Sequence, residues 1–173
     1  NFAQKYGAGV FLQESEILQI MNSNFLYNSE PSKVCGAIHK DKVRYAQYLK
    51  CLVNNKSAKK KGAAVYAMKT NYIMNIKSEF INNYAEKSAS LYIIFSVNIY
   101  FESSIFRGNK YSAISSHYGK SFIINNCSFK NNTTNYYGGG AFIMTTGTVV
   151  VKASVFFLNN AINDASGGGV ALS

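Results

Sequence analysis

Eight carboxylates, two histidines and three cysteines are the groups in this chain able to support acid–base, metal or thiol chemistry. Cleavage of a glycosidic bond needs paired carboxylates, and a calcium site needs clustered oxygen ligands. The acids are Glu14, Glu16, Glu30, Asp41, Glu79, Glu86, Glu102 and Asp164. Only Glu14 and Glu16 stand close together. On a strand they would share a face, yet no other acid recurs in phase to join them. His39 and His117 are far apart, no C-x-x-C occurs, and no Ser–His–Asp set can be assembled. Cys35, Cys51 and Cys127 fall at different points of the repeat described below, so they are expected as buried free thiols rather than a bridge or a zinc site. The expectation is a chain without a catalytic centre, metal or cofactor.

Charge points toward anionic partners. Eighteen Lys and Arg against eight acids give a net charge of +10. The densest basic stretch holds Lys56, Lys59, Lys60 and Lys61, with Lys40, Lys42 and Arg44 shortly before it. Such a patch can face an acidic polysaccharide, an anionic surface or nucleic acid; it can equally be a solvated loop. The loop is the favoured reading, and no nucleic-acid-binding motif accompanies the charge. Four N-x-[Ser/Thr] sequons, at Asn55, Asn126, Asn131 and Asn132, are candidate glycan acceptors in a secretory pathway. Asn55, Asn131 and Asn132 coincide with a repeated corner motif whose amides are expected to be engaged.

That motif organises the chain. An aromatic or leucine is followed three residues later by asparagine six times: Phe25/Asn28, Leu52/Asn55, Phe80/Asn83, Phe106/Asn109, Phe129/Asn132 and Phe157/Asn160. The steps are 27, 28, 26, 23 and 28 residues. A period of that size marks a stacked repeat. A small-residue cluster runs in phase about ten residues later, as in Gly36-Ala37-Ile38, Gly62-Ala63-Ala64-Val65, Gly139-Gly140-Ala141-Phe142 and Gly168-Gly169-Val170. Between these corners lie short stretches with period-two alternation, such as Tyr72 to Ile76 and Phe95 to Phe101.

Each repeat therefore reads as two or three short strands separated by Asn-rich and Gly-rich corners. A lone coil cannot bury its apolar side, whereas stacked coils build a continuous core. The predicted fold is all-β: a right-handed parallel β-helix of six to seven coils, the hand following from the crossover rule. Phe25, Leu52, Phe80, Phe106, Phe129 and Phe157 are expected as an internal stack. Asn28, Asn55, Asn83, Asn109, Asn132 and Asn160 are expected at the corners, accepting left-handed backbone and forming an amide ladder from coil to coil.

The pairing of F-x-x-N with G-G-A-[Ile/Leu/Val] resembles the repeat of polymorphic outer-membrane-protein passenger domains. More broadly it is similar to the pectin-lyase-like β-helix superfamily. Five Phe copies match the first element and Leu52 departs from it. Gly139-Gly140-Ala141-Phe142 approaches the second, with Phe in place of an aliphatic residue. The resemblance covers nearly the whole chain, and it implies extended surface domains involved in adhesion.

The whole chain, 1–173, reads as one β-helix segment. It contains no apolar run long enough to span a bilayer as a helix. Neither end shows a cap, so a segment of a longer polypeptide or a unit stacking end to end is expected. The leading expectation is a non-catalytic, extracellular or cell-surface structural and adhesive segment, with glycans or surface proteins as partners. Two alternatives stay open. One is a carbohydrate-active β-helix with its catalytic coils elsewhere or at Glu14/Glu16, and the other is a filament subunit.

Overall fold

In a computed structural model, the chain winds as a parallel β-solenoid of about six turns, all-β and without a helix among the described residues. The structure describes residues 9–27, 29–30, 36–162 and 167–173. Asn28 and Cys35 lie outside them.

Three faces repeat along the stack. The first carries strands Val10–Gln13, Ile38–Asp41, Val65–Met68 and Leu91–Ile94, then 114–117, 141–144 and Val170–Leu172. The second carries Ile17–Met21, Tyr45–Leu49, Tyr72–Ile76 and Asn98–Glu102, followed by 121–125 and 148–152. The third is a sheet of six three-residue strands, from Asn24–Leu26 to Val155–Phe157. Every pairing between coils is parallel. Alternating side chains point into a continuous core, and the expected period-two pattern holds in strands such as Tyr45–Leu49 and Asn98–Glu102.

The in-register pairing of the third face sets the aromatic stack as Phe25, Val53, Phe80, Phe106, Phe129 and Phe156. Adjacent rings from Phe80 to Phe156 are near-parallel, with centroids 5.2, 4.5 and 4.6 Å apart. Two expected members are displaced by one residue. Leu52 is half-buried and points outward beside Val53, and Phe157 is 51% exposed beside the inward Phe156. Side chains alternate along a strand, so a one-residue slip exchanges inside for outside.

The amide ladder moves with the stack. Asn83 Nδ2 donates to Asn109 Oδ1 at 3.1 Å, Asn109 to Asn132 at 2.9 Å, and Asn132 to Asn159 at 2.8 Å. Each rung also donates to a third-face carbonyl of the preceding coil: Val53, Phe80, Phe106 and Phe129 in turn. Asn159, not Asn160, is the last rung; Asn160 is exposed one position further on. Asn55 is exposed as well, and Lys56 occupies the ladder column in its place, its backbone N–H donating to Asn83 Oδ1 at 3.0 Å.

The left-handed residue at this corner is the one before the rung: Asn55, Asn82, Gly108, Asn131 and Leu158, with φ between 51 and 64°. The corner thus divides two tasks that the sequence reading assigned to one asparagine. A further column supports the turn between the second and third faces. Ser78, Ser104 and Ser154 each accept from the backbone N–H of the residue one coil earlier, at Cys51, Ser78 and Cys127 respectively. Cys51 and Cys127 therefore share one column, two residues before the core aromatic, and are buried free thiols whose ionisation burial pushes up. On the opposite corner small residues are obligatory: a Cβ on Gly36 would sit 2.4 Å from the Ala63 carbonyl oxygen.

Candidate functional site: an aromatic-walled cleft

The outward positions of the first face carry an aromatic column. Phe11, His39, Tyr66 and Tyr92 succeed one another in register, with centroids 5.2, 4.8 and 5.7 Å apart and rings stacked. The next coil places Ser115 in that register and His117 two residues on, so the imidazole leans back to 5.3 Å from Tyr92 and 5.5 Å from Phe142. Parallel strands in register bring every such side chain about 4.8 Å from its neighbour, which suits offset ring stacking.

A second aromatic row follows the ladder corner. Tyr84, Tyr111 and Tyr136 meet with centroids 5.6 and 6.4 Å apart, and Tyr137 leans on Phe142 at 5.5 Å. Between the two rows opens a cleft of about 220 Å³. Its walls include Tyr92, Tyr111, Tyr136, Tyr137 and Phe142, while Ser112, Ser115, His117 and Thr134 supply hydroxyl and imidazole groups. Lys61 and Lys87 contribute ammonium groups, and no carboxylate among the described residues lines it; Asp164 lies outside them.

The polar groups are fixed. Lys61 Nζ donates to the Tyr92 hydroxyl at 3.0 Å and lies 4.4 Å from the Tyr92 ring centroid. Ser115 Oγ is 2.8 Å from His117 Nε2. Burial, with the nearby Lys61 charge, lowers the basicity of His117. A neutral ring accepts the Ser115 hydroxyl proton at Nε2 in one tautomer and donates Nε2–H to the Ser115 oxygen in the other. A concave site with aromatic walls and a few convergent polar groups is suited to holding a ligand by stacking and hydrogen bonding.

The residues singled out in the sequence are dispersed. Lys56 is 1% exposed inside the ladder column, and burial lowers its pKa from 10.5 to about 8. Lys59 and Lys60 are exposed, whereas Lys61 belongs to the cleft. The four lysines therefore do not form one surface patch. Glu14 and Glu16 are each tied across coils, Lys42 Nζ to Glu14 at 2.6 Å and Arg44 to Glu16 at 3.3 Å. Lys42 lowers the Glu14 pKa through this contact. Among the sequons, Asn55, Asn126 and Asn131 are exposed, whereas Asn132 is buried with its amide engaged in the ladder. No group of three or more His, Cys, Asp or Glu able to hold a metal occurs among the described residues.

Sequence reasoning missed the cleft itself. Its residues come from coils spaced along the chain, and their common signal is an aromatic after the ladder corner (Tyr84, Tyr111, Tyr136) together with a ring at the second position of five of the seven first-face strands (Phe11, His39, Tyr66, Tyr92, Phe142). Fold and cleft define a parallel β-solenoid with an outward aromatic surface. Compared with known proteins, the chain matches no family model, no curated protein and no solved structure.

Proposed function

We propose that this chain is a non-catalytic structural and adhesive segment of an extracellular or cell-surface solenoid, and that the aromatic-walled cleft is where it holds a glycan or a surface protein. The observation that carries this reading is the composition of the cleft. Five aromatic rings and several hydroxyls converge there, and among the described residues no carboxylate joins them to act as acid, base or nucleophile. Aromatic faces stack on the apolar faces of sugar rings and on protein side chains alike, and neighbouring hydroxyl and ammonium groups fix orientation. The solenoid contributes rigidity, because each coil is hydrogen-bonded to the next. The pectin-lyase-like and outer-membrane-protein resemblance of the repeats agrees with a surface role.

The test is binding of the purified chain to immobilised glycans and to intact cells. Saturable binding that falls at least tenfold in the Tyr111→Ala/Tyr136→Ala variant, with unchanged melting, supports the reading. Binding that survives this variant, or no binding to either target, overturns it.

A further inference from the structure

The second face of the solenoid differs from the other two. Its outward side chains form three columns in register across the coils. The first column runs Ile17, Tyr45, Tyr72, Asn98 and Ser121, the central one Gln19, Gln47, Met74, Tyr100 and Ile123, and the third Met21, Leu49, Ile76, Glu102 and Asn125, so the apolar side chains are interspersed with polar ones. Ile17, Met21 and Tyr72 are 63%, 51% and 50% exposed. The pairings from Ile17–Met21 through 121–125 run five residues each without a bulge, so the surface is nearly flat. Its relief is a shallow depression of about 240 Å³ among Tyr45, Tyr72, Met74, Tyr100 and Ile123. With six strands about 4.8 Å apart and five residues each, the face measures about 24 by 15 Å.

Both margins of this face are basic. Lys42, Arg44, Lys69 and Lys120 stand along the corner that precedes its strands, and Lys50 and Lys77 along the corner that follows, beside the last outward column, which holds both Lys152 and Glu102. Glu14 and Glu16 pair with Lys42 and Arg44. Lys50, Lys69 and Lys77 are exposed and make no ion pair among the described residues. A field of exposed apolar side chains of this kind is ordinarily a docking surface. Its charge frame selects the partner. A second copy would bring equally basic margins together on chains of net charge +10, whereas an anionic plane would meet both margins at once. A flat face with tyrosines at its centre and lysines on two sides fits the boundary between headgroups and acyl chains.

We propose that the second face docks on a lipid bilayer carrying anionic headgroups. Its Tyr, Ile and Met side chains enter the interfacial zone, and the marginal lysines contact the headgroup charge. This goes beyond the cleft and uses different residues. Each Lys near an anionic bilayer surface raises partitioning about fivefold, and the effect weakens with salt.

The experiment is co-sedimentation of the purified chain with vesicles of phosphatidylcholine alone, or mixed equally with phosphatidylserine. Salt-sensitive binding to the mixed vesicles is expected, and it should exceed binding to phosphatidylcholine at least tenfold. Tyr72→Glu/Met74→Glu should abolish it, and Lys50→Glu/Lys77→Glu should reduce it by about tenfold or more. All four positions point outward, so circular dichroism should show native folding. The cleft variant Tyr111→Ala/Tyr136→Ala should bind vesicles normally, which separates failure of this proposal from failure of the adhesive reading. No sedimentation, equal binding to both vesicle types, or binding untouched by Tyr72→Glu/Met74→Glu overturns the proposal. So does a dimer in analytical ultracentrifugation that Tyr72→Glu/Met74→Glu dissolves while vesicles go unbound.

Discussion

At the ladder corner, neighbouring residues with similar side chains have opposite consequences. Asn109 is fully buried: its Oδ1 accepts from the Asn83 backbone and amide, and its Nδ2 donates to Phe80 O and Asn132 Oδ1. Truncation to Ala orphans several buried partners at ~1–3 kcal/mol each, so Asn109→Ala should cost about 3 kcal/mol or more in urea unfolding. Asn160→Ala, at an exposed position, should change stability by no more than about 0.5 kcal/mol. Equal losses in the two variants would refute the assignment of the rungs. The same geometry sorts the sequons. Expressed in a secreting eukaryotic host, the chain should carry glycan at one or more of Asn55, Asn126 and Asn131 and none at Asn132, as read by glycopeptide mass spectrometry. Occupancy at Asn132 would require that rung to be open. Lys56 adds a pH dependence. Its folded pKa, about 8, lies below the unfolded value of 10.5 because burial disfavours the charged form. Between these values the unfolded chain binds more protons, so this residue's contribution rises with pH from about 8 to 10.5. Below 8 the penalty is fully present, on the order of 3 kcal/mol. Lys56→Asn would remove it and supply the missing rung, so the variant should melt well above the parent at pH 7 and lose most of that margin by pH 10. An unchanged difference across that range would show that the amine is not the cause.

Among the elements, the third-face strand tests how side-chain alternation sets the core. Phe106 is fully buried between Phe80 and Phe129, and Phe106→Ala should cost about 3–5 kcal/mol, whereas half-exposed Phe157→Ala should cost less than about 1 kcal/mol. A large loss at Phe157 would return the stack to its sequence-based frame. Strand type, repeat length and the Gly corner were all legible, because apolar alternation and small residues in phase are local signals. The frame was legible in four coils and misplaced in two. Phe156-Phe157-Leu158-Asn159-Asn160 offers two apolar–asparagine pairings one residue apart, whereas in the other coil Leu52/Asn55 matches the motif and the true frame, Val53 with Lys56, carries no asparagine. The serine or cysteine two residues before the core position resolves both. Ser23, Cys51, Ser78, Ser104, Cys127 and Ser154 precede Phe25, Val53, Phe80, Phe106, Phe129 and Phe156. That column holds the turn by hydrogen-bonding to the next coil, and two cysteines within it hide the pattern. The cleft and the basic-rimmed face were less legible, since neither is contiguous in sequence. They arise only when outward positions of successive coils are stacked in register, and a slip of one residue would turn those positions inward.

Across the whole molecule, stability in a stacked repeat is a sum of coil energies and nearest-neighbour interfaces, so unlike coils should open unequally. From Asn83 to Asn159 the ladder is unbroken and the aromatic rings stack face to face. The coil from Ile38 to Ala58 is different. Valine replaces phenylalanine in its stack, lysine replaces asparagine in its ladder, and Lys40 Nζ, Asp41 Oδ1, Asn54 Oδ1 and Lys56 Nζ are buried without hydrogen-bond partners. Lys40 lies 5.2 Å from the Tyr48 ring centroid, and burial holds its pKa far below the ordinary lysine value. Each unpartnered buried group costs about 1–3 kcal/mol, a large share of the stability of a chain this size. The coil should therefore open sub-globally before the Asn98–Lys130 region does. Hydrogen exchange read by mass spectrometry should show amides of 38–58 exchanging at least tenfold faster than those of 98–130. Lys56→Asn should slow exchange across 38–58 and leave 98–130 nearly unchanged. Uniform exchange over both regions would mean that the solenoid opens as a single cooperative unit, and that its buried lysines are balanced within the coil that holds them.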